Sequence, residues 1–192
     1  LGKARYYDNR FIPALEAFNY ILYRYPTSEY INKVKIWKEK INIRLNQNKY
    51  AIDNLKELLE EENLLIEERS LANSYLAQAF INIEQIDSAA YFLKKSNQQF
   101  KNIKNNPRNT FLLAQLYQDL NVKDTASELY SEIIDLHRKI PRKFYIHSYI
   151  NKSSLSDSIE NSIMELKELT MNFENNNFFD IITIIIVLNH LI

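Results

Sequence analysis

The sequence has 192 residues, 46% hydrophobic and 25% charged, with 24 Lys+Arg against 24 Asp+Glu. That balance suits one sizeable core or two small ones, and the zero net charge excludes a chain-wide field for nucleic acid or an anionic membrane. Zero Cys excludes disulfides, a thiol nucleophile and Cys-ligated metal, and a single glycine excludes a Gly-rich phosphate loop and argues against a hairpin-rich all-β fold.

Along the chain, the apolar spacing predicts a short helix over 1–8 paired with one over 11–25. Further pairs follow over 29–45 and 50–61, 67–83 and 87–98, 107–120 and 124–139, and 142–152 and 156–172, with a last helix over 178–192. Ser28, Asp87 and Asp124 are placed as side-chain acceptors at helix starts. Pro107 takes a first helical position, where its missing N–H costs nothing. Pro13 falls in a first turn, and Pro26 and Pro141 between pairs. Leu1-Gly2 carries no basic leader followed by an apolar run, so no signal peptide is visible and the start reads as an interior cut. Phe178 to Ile192 is nearly all apolar, but its fifteen residues are too few for a bilayer span of about 20. It reads as a buried helix cut short.

A repeat underlies these pairs. Ala14, Ala51, Ala89 and Ala126 recur at intervals of 37, 38 and 37 residues, with Phe18, Leu55, Leu93 and Tyr130 one turn on. Leu45, Ile83 and Leu120 each precede the alanine by six. In the preceding helices, Leu76-Ala77 with Phe80 aligns with Leu113-Ala114 and Tyr117, and Leu1-Gly2 falls on the same pair of positions. Two antiparallel helices approach closely only where one offers a small side chain, and a lone pair cannot bury its apolar face, so pairs must stack. Glu62–Glu67 and Gln99–Asn106 are read as spacers between repeats.

These small-residue and aromatic positions resemble the tetratricopeptide repeat, a helix–turn–helix of 34 residues. The resemblance implies an all-α, right-handed solenoid of about five helix pairs, truncated at both ends. Its units are about 1–28, 29–66, 67–106, 107–140 and 141–177, with 178–192 opening a further one. Val34-Lys35-Ile36-Trp37, Leu45 and Ala51-Ile52-Asp53 further resemble the tetratricopeptide lipoproteins of Bacteroidota that serve gliding motility and type 9 secretion (the SprE/PorW family). So do Ile163 to Leu169 and Asn175 to Ile182. That likeness implies a lipid-anchored outer-membrane component facing the periplasm, its anchor outside this stretch. Lys38 and Glu39 depart from the repeat at its Leu and small-residue positions, and Ser96 stands where a larger residue is expected.

No catalytic, cofactor-binding or metal-binding residue emerges. His137, His147 and His190 form no His-Glu-x-x-His pair, and His137 and His147 read as helix-end or surface residues. Glu60, Glu61 and Glu62 read as a solvated helix end. Tyr75, Phe80, Phe92, Tyr117 and Tyr130 are assigned to the core, as is Trp37, which could instead edge a groove. A base-stacking surface is not expected, because the aromatics show no alternation with a basic stripe. Residues 33–49 are basic and 53–68 acidic, a pattern that suits pairing between neighbouring helices.

By repeat position the first helices line the concave face, the usual binding surface. Its candidates are Tyr6 and Tyr7; Lys33, Lys40 and Arg44; Ser74, Gln78 and Asn82; and Arg108, Phe111, Gln115 and Asp119. The expected activity is a non-enzymatic protein-interaction scaffold that takes a peptide or helix of a partner, without nucleic acid. The alternatives are a module of a larger enzyme or transcription regulator, or a helical binder of a small molecule such as a glycan through Tyr6, Tyr7 and Trp37. The Lys/Asn clamp for a chaperone's terminal carboxylate is missing, since Ile36, Lys40, Ser74 and Gln78 hold its positions.

Overall fold

The structure is a computed structural model and describes residues 1–99, 107–156 and 158–190, with side chains to Asn189. The described residues contain eleven α-helices and no strand. They are α1 Gly2–Tyr7, α2 Phe11–Arg24, α3 Ile31–Arg44, α4 Asn48–Leu59, α5 Ile66–Asn82, α6 Ile86–Gln99, α7 Pro107–Asp119, α8 Lys123–Leu136, α9 Arg142–Ser153, α10 Ile159–Met171 and α11 Phe179–His190. Short 3₁₀ segments, His137–Lys139 and Phe173–Phe178, follow α8 and α10. The chain forms two compact units, Leu1–Lys101 and Asn102–Ile192. In the first, α1/α2, α3/α4 and α5/α6 are antiparallel hairpins, and α3 also packs on α5. In the second, α7/α8 and α9/α10 are the hairpins, α9 packs on α7 and α8, and α11 on α10.

The recurring small residues are the contact points. Ala14, Ala51, Ala77, Ala89, Ala114 and Ala126 are all 0% exposed. Gly2, at the first-helix small position of the first hairpin, is buried so tightly that a Cβ there would lie 2.9 Å from the Phe18 ring. Glu39 holds the same position one hairpin on. It is buried, and its carboxylate is met by the side-chain amides of Asn42 (2.7 Å) and Asn54 (3.0 Å) and by Lys38 (3.5 Å). Burial nevertheless holds this carboxyl above its ordinary pKa. Ser96 is also buried: its hydroxyl donates to the Ser70 carbonyl and that of Ser70 to the Ser96 carbonyl, each at 2.9 Å, a reciprocal clasp between α5 and α6.

Every hairpin turn up to α8 repeats one backbone device. Asn9, Asn46, Glu84 and Asn121 all have φ near +60° (58, 61, 61 and 60°). The next residue's N–H returns to the carbonyl five residues back: Arg10 to Arg5, Gln47 to Asn42, Gln85 to Phe80 and Val122 to Tyr117. This is the Schellman closure, and it leaves Leu45 and Ile83 as C-cap residues. Asn tolerates the left-handed conformation, whereas Glu84 carries a steric penalty there. Glu84→Asn is therefore expected to stabilise the chain by about 0.5–1 kcal/mol, read as a higher denaturation midpoint.

The helix starts differ from the sequence expectation. The second pair opens at Ile31, not Glu29; Ser28 lies in the turn before it, with its hydroxyl accepting the Tyr30 N–H at 3.3 Å. Asp87 and Asp124 lie inside first turns, where they face the helix dipole rather than cap. Val122, which has no side-chain acceptor, takes the N-cap of α8. A side-chain cap does occur at Ser158, whose hydroxyl accepts the Asn161 N–H at 3.3 Å. The expected helix from 156 accordingly starts at Ile159. Pro107 and Pro13 sit where expected. The spacer over 99–106 lies, beyond Gln99, outside the described residues, as do the side chain of His190 and residues 191–192.

Phe80 and Tyr130 are buried, while Tyr75, Phe92 and Tyr117 are half-buried. In the second unit, buried Asn175 donates to the Leu169 carbonyl (2.6 Å) and accepts from Arg142 Nε (2.8 Å). Glu174 pairs with Arg138 at 2.6 Å, and together these contacts pin the Asn-rich turn before α11 to the start of α9. Among the described side chains of α11, Ile182 and Ile186 are buried, while Ile181, Ile184, Val187 and Leu188 are exposed. No helix of the described residues is long and apolar enough to cross a membrane.

Candidate functional site

The first helices of the first unit bring cations and aromatic rings together on one face. Lys40 of α3 points its ammonium at four rings: Trp37 at 4.2 Å, Tyr6 at 4.5 Å, Tyr75 at 5.5 Å and Tyr7 at 5.6 Å. The rings come from α1, α3 and α5. The ammonium lies within cation–π range of all four. Lys3 of α1 lies 5.1 Å from the Trp37 ring, and Arg44 lies 5.3 Å from Phe11. The rings brace one another: Tyr6 meets Trp37 edge-on at 5.5 Å, Tyr7 meets it at 6.1 Å, and Trp37 stacks on Phe18 at 5.9 Å. Trp37 is thus both core and groove wall, half-buried between Phe18 and the cations.

The rings and cations of this face are drawn from three helices, with Lys40 set among the rings rather than in a basic stripe. Of the sequence candidates, Tyr6, Tyr7 and Lys40 are brought together here, and Tyr75 joins them from a position assigned to the core. Lys33 is exposed, its ammonium 5.9 Å from the Tyr30 ring, and Arg44 is exposed at the end of α3.

The remaining candidates are placed differently. Ser74 is buried rather than presented. Gln78 donates to Asn82 Oδ1 (3.1 Å), and Asn82 donates to Asn48 Oδ1 (2.9 Å), so this pair braces the start of α4. In the second unit Phe111 packs against Tyr130 and Phe144 as part of the core. Arg108 and Asp119 are exposed and Gln115 is half-buried on α7. The basic and acidic segments pair where Lys35 meets Glu61 at 2.6 Å. His137 packs on Tyr145 (4.9 Å) and His147 on Phe178 (6.4 Å), and the described residues contain no cluster of three or more potential metal ligands.

No protein-family profile matches this sequence, and no curated protein does. Solved structures do match its fold. A crystal structure of MamA is 16% identical at a TM-score of 0.62, covering 98% of this chain and 92% of that one. A Podosopora anserina putative kinesin light chain with nearly identical TPR-like repeats is 13% identical at 0.66, covering 98% and 91%. A thermophilic TPR protein of Thermus thermophilus is 14% identical at 0.57, covering 100% and 96%. At these identities the likeness shows the fold alone: this chain has the all-α, helix–turn–helix architecture of tetratricopeptide-type solenoid proteins.

Proposed function

We propose that this chain is a non-enzymatic scaffold that holds a segment of a partner protein on the first-helix face of its first unit. The observation that carries the reading is the set of four rings around Lys40, bordered by Lys3 and Arg44. Rigid aromatic walls offer contact area at little entropic cost, and the cations favour a segment bearing carboxylates between apolar side chains. Hairpins locked by buried alanines pre-form this surface, so the partner alone becomes ordered on binding. The resemblance of Val34 to Trp37 and of the Asn175 junction to gliding-motility and type 9 secretion lipoproteins supports a place in such a complex. The protein would then face the periplasm, tethered at the outer membrane by an anchor outside this stretch.

Lys40→Glu is a poor probe, because it would set a carboxylate against ring faces that carry partial negative charge. Lys40→Met with Arg44→Glu removes the positive charge while keeping the packing. That double variant is expected to keep its helicity by circular dichroism and to lose about tenfold or more in partner affinity, which is about 1.4 kcal/mol. The readout is capture of partners from cells of the source organism, followed by titration with the captured protein. Undiminished capture of every partner by the variant would overturn the assignment. Recovery of secretion or motility components among the captured proteins would support the proposed complex, and recovery of none would count against it.

A further inference from the structure

A cavity of about 690 Å³ opens between α4 and α6, the second helices of neighbouring hairpins in the first unit and distinct from the aromatic face. Lys56, Arg69, Asn73, Tyr91 and Lys95 line it, and Glu60 is the one carboxylate in the described lining. The Lys95 ammonium lies 4.6 Å from the Tyr91 ring and that of Lys56 5.5 Å from the Phe80 ring. Arg69 spends two donors on the carbonyls of Leu59 (2.6 Å) and Glu61 (3.0 Å). Among the described residues none of these three cations forms an ion pair. Asn73 is 2% exposed; its amide N donates to the Arg69 carbonyl at 2.9 Å, while its Oδ1 has no partner. A buried acceptor without a donor costs about 1–3 kcal/mol, so this atom calls for one.

The repeat supplies an internal comparison. The preceding groove, a cavity of about 430 Å³ between α2 and α4, shares several lining positions with it at an offset of 37 or 38 residues. Lys35 stands there in place of Asn73, Glu61 in place of Gln99 and Glu57 in place of Lys95. Lys35 closes on Glu61 at 2.6 Å, so that groove is neutralised from within. In the next groove the same exchange leaves a 3.4 Å contact between Asn73 and Gln99, a lysine for a carboxylate, and the orphaned Oδ1.

We propose that the α4/α6 groove binds a phosphorylated sugar. The Lys56 and Lys95 ammonium groups meet the phosphate dianion. A sugar hydroxyl that displaces the 3.4 Å contact between Asn73 and Gln99 reaches the buried Asn73 amide and donates to its unpartnered Oδ1. The C–H face of the ring lies on Tyr91, whose side chain is 54% exposed, and Glu60 at the margin accepts a second hydroxyl.

The probes are ribose 5-phosphate, AMP, inorganic phosphate and ribose, titrated into the full chain at millimolar concentration and followed by ¹H–¹⁵N NMR, including the Asn73 side-chain amide. Ribose 5-phosphate is expected to bind about tenfold or more tightly than phosphate or ribose alone. A preference for AMP would identify a nucleotide as the source of the sugar phosphate, and a preference for ribose 5-phosphate a free sugar phosphate. Lys56→Gln with Lys95→Gln, both on the surface, is expected to weaken binding about tenfold, whereas Lys35→Gln in the preceding groove leaves it unchanged. Asn73→Leu is expected to abolish the advantage over inorganic phosphate; if that variant fails to fold, the lysine pair decides. No binding of either phosphorylated sugar, equal binding of inorganic phosphate, or indifference to the lysine double variant would overturn the proposal.

Discussion

Tyr130→Ala is expected to lower stability by about 3–5 kcal/mol, the largest loss foreseen for any single side chain here. Tyr130 is 0% exposed and packs with Ala114 and Ala126, with Phe111 edge-on at 5.8 Å. Its hydroxyl donates to Gln118 Oε1 at 2.8 Å and accepts from Asn151 Nδ2 at 3.0 Å, so one residue of α8 ties α7 to α9. Burial pushes the phenol up to about 12, so it stays protonated and keeps donating throughout the neutral range. Truncation to alanine opens a cavity flanked by two residues that are already alanine and cannot fill it. Tyr130→Phe keeps the ring and loses only the hydrogen bonds. Gln118 and Asn151 are half-buried and open to water, so that loss is expected to be about 1 kcal/mol. Urea denaturation followed by far-UV circular dichroism checks both. An alanine variant within about 1 kcal/mol of the parent would refute the role of the ring, and a Phe variant as damaged as the Ala variant would put the energy in the hydroxyl instead.

The sequence shows this pillar only in part. Periodicity of the small residues made the hairpins legible, because close helix approach imposes a local demand on residue type at each repeat. The turns were legible as turns, yet their shared left-handed residue was not, since Glu84 stands where the other three hairpins carry Asn. Helix starts were misjudged at Ser28, Asp87 and Asp124 because a polar residue near a helix start can cap it or lie inside its first turn, and the composition is the same in both cases. Ser96 and Glu39 looked like defects of the repeat. The structure resolves them as a serine clasp with Ser70 and as a buried carboxylate held by two asparagine amides.

The candidate site was less legible than the fold, for a reason of scale. Repeat position singles out Lys40, but its surroundings combine α1, α3 and α5, so the cluster exists only once three helices stand side by side. Tyr75 went to the core because aromatic residues at repeat positions fill space whether or not one edge faces a groove. Phe111 shows the converse: a repeat position that faces a groove in the frame is half-buried here, held edge-on to Tyr130 and tilted against Phe144, each at 5.8 Å. The orphaned Oδ1 of Asn73 left no trace in the sequence. Its significance comes from comparison with Lys35, its counterpart one repeat earlier, which closes on Glu61.

Ala51→Leu and Ala89→Leu are each expected to cost about 1–3 kcal/mol by overpacking. Both alanines are 0% exposed on second helices, at the position that is alanine in all four hairpins up to α8. The first-helix small position is less strict, for it holds Gly2, Glu39, Ala77 and Ala114. A long side chain survives there at Glu39 because Asn42 and Asn54 meet its carboxylate. No such exception occurs at the alanine position, so three added carbons must displace the partner helix or leave their rotamer well. The control is Ala4→Leu, exposed on α1, which is expected to stay within about 0.5 kcal/mol of the parent. Thermal unfolding reads the difference as a lowering of Tm by roughly 2–4 °C per kcal/mol for a chain of this size. Gly2→Ala extends the test to the first hairpin, where the new methyl would meet the Phe18 ring at 2.9 Å and the ring, stacked on Trp37, has to shift. That shift would change Trp37 fluorescence, a readout local to the aromatic face. Similar losses at Ala51 and Ala89 would show that the repeat position itself sets the penalty; a loss at only one would trace it to that hairpin's own neighbours.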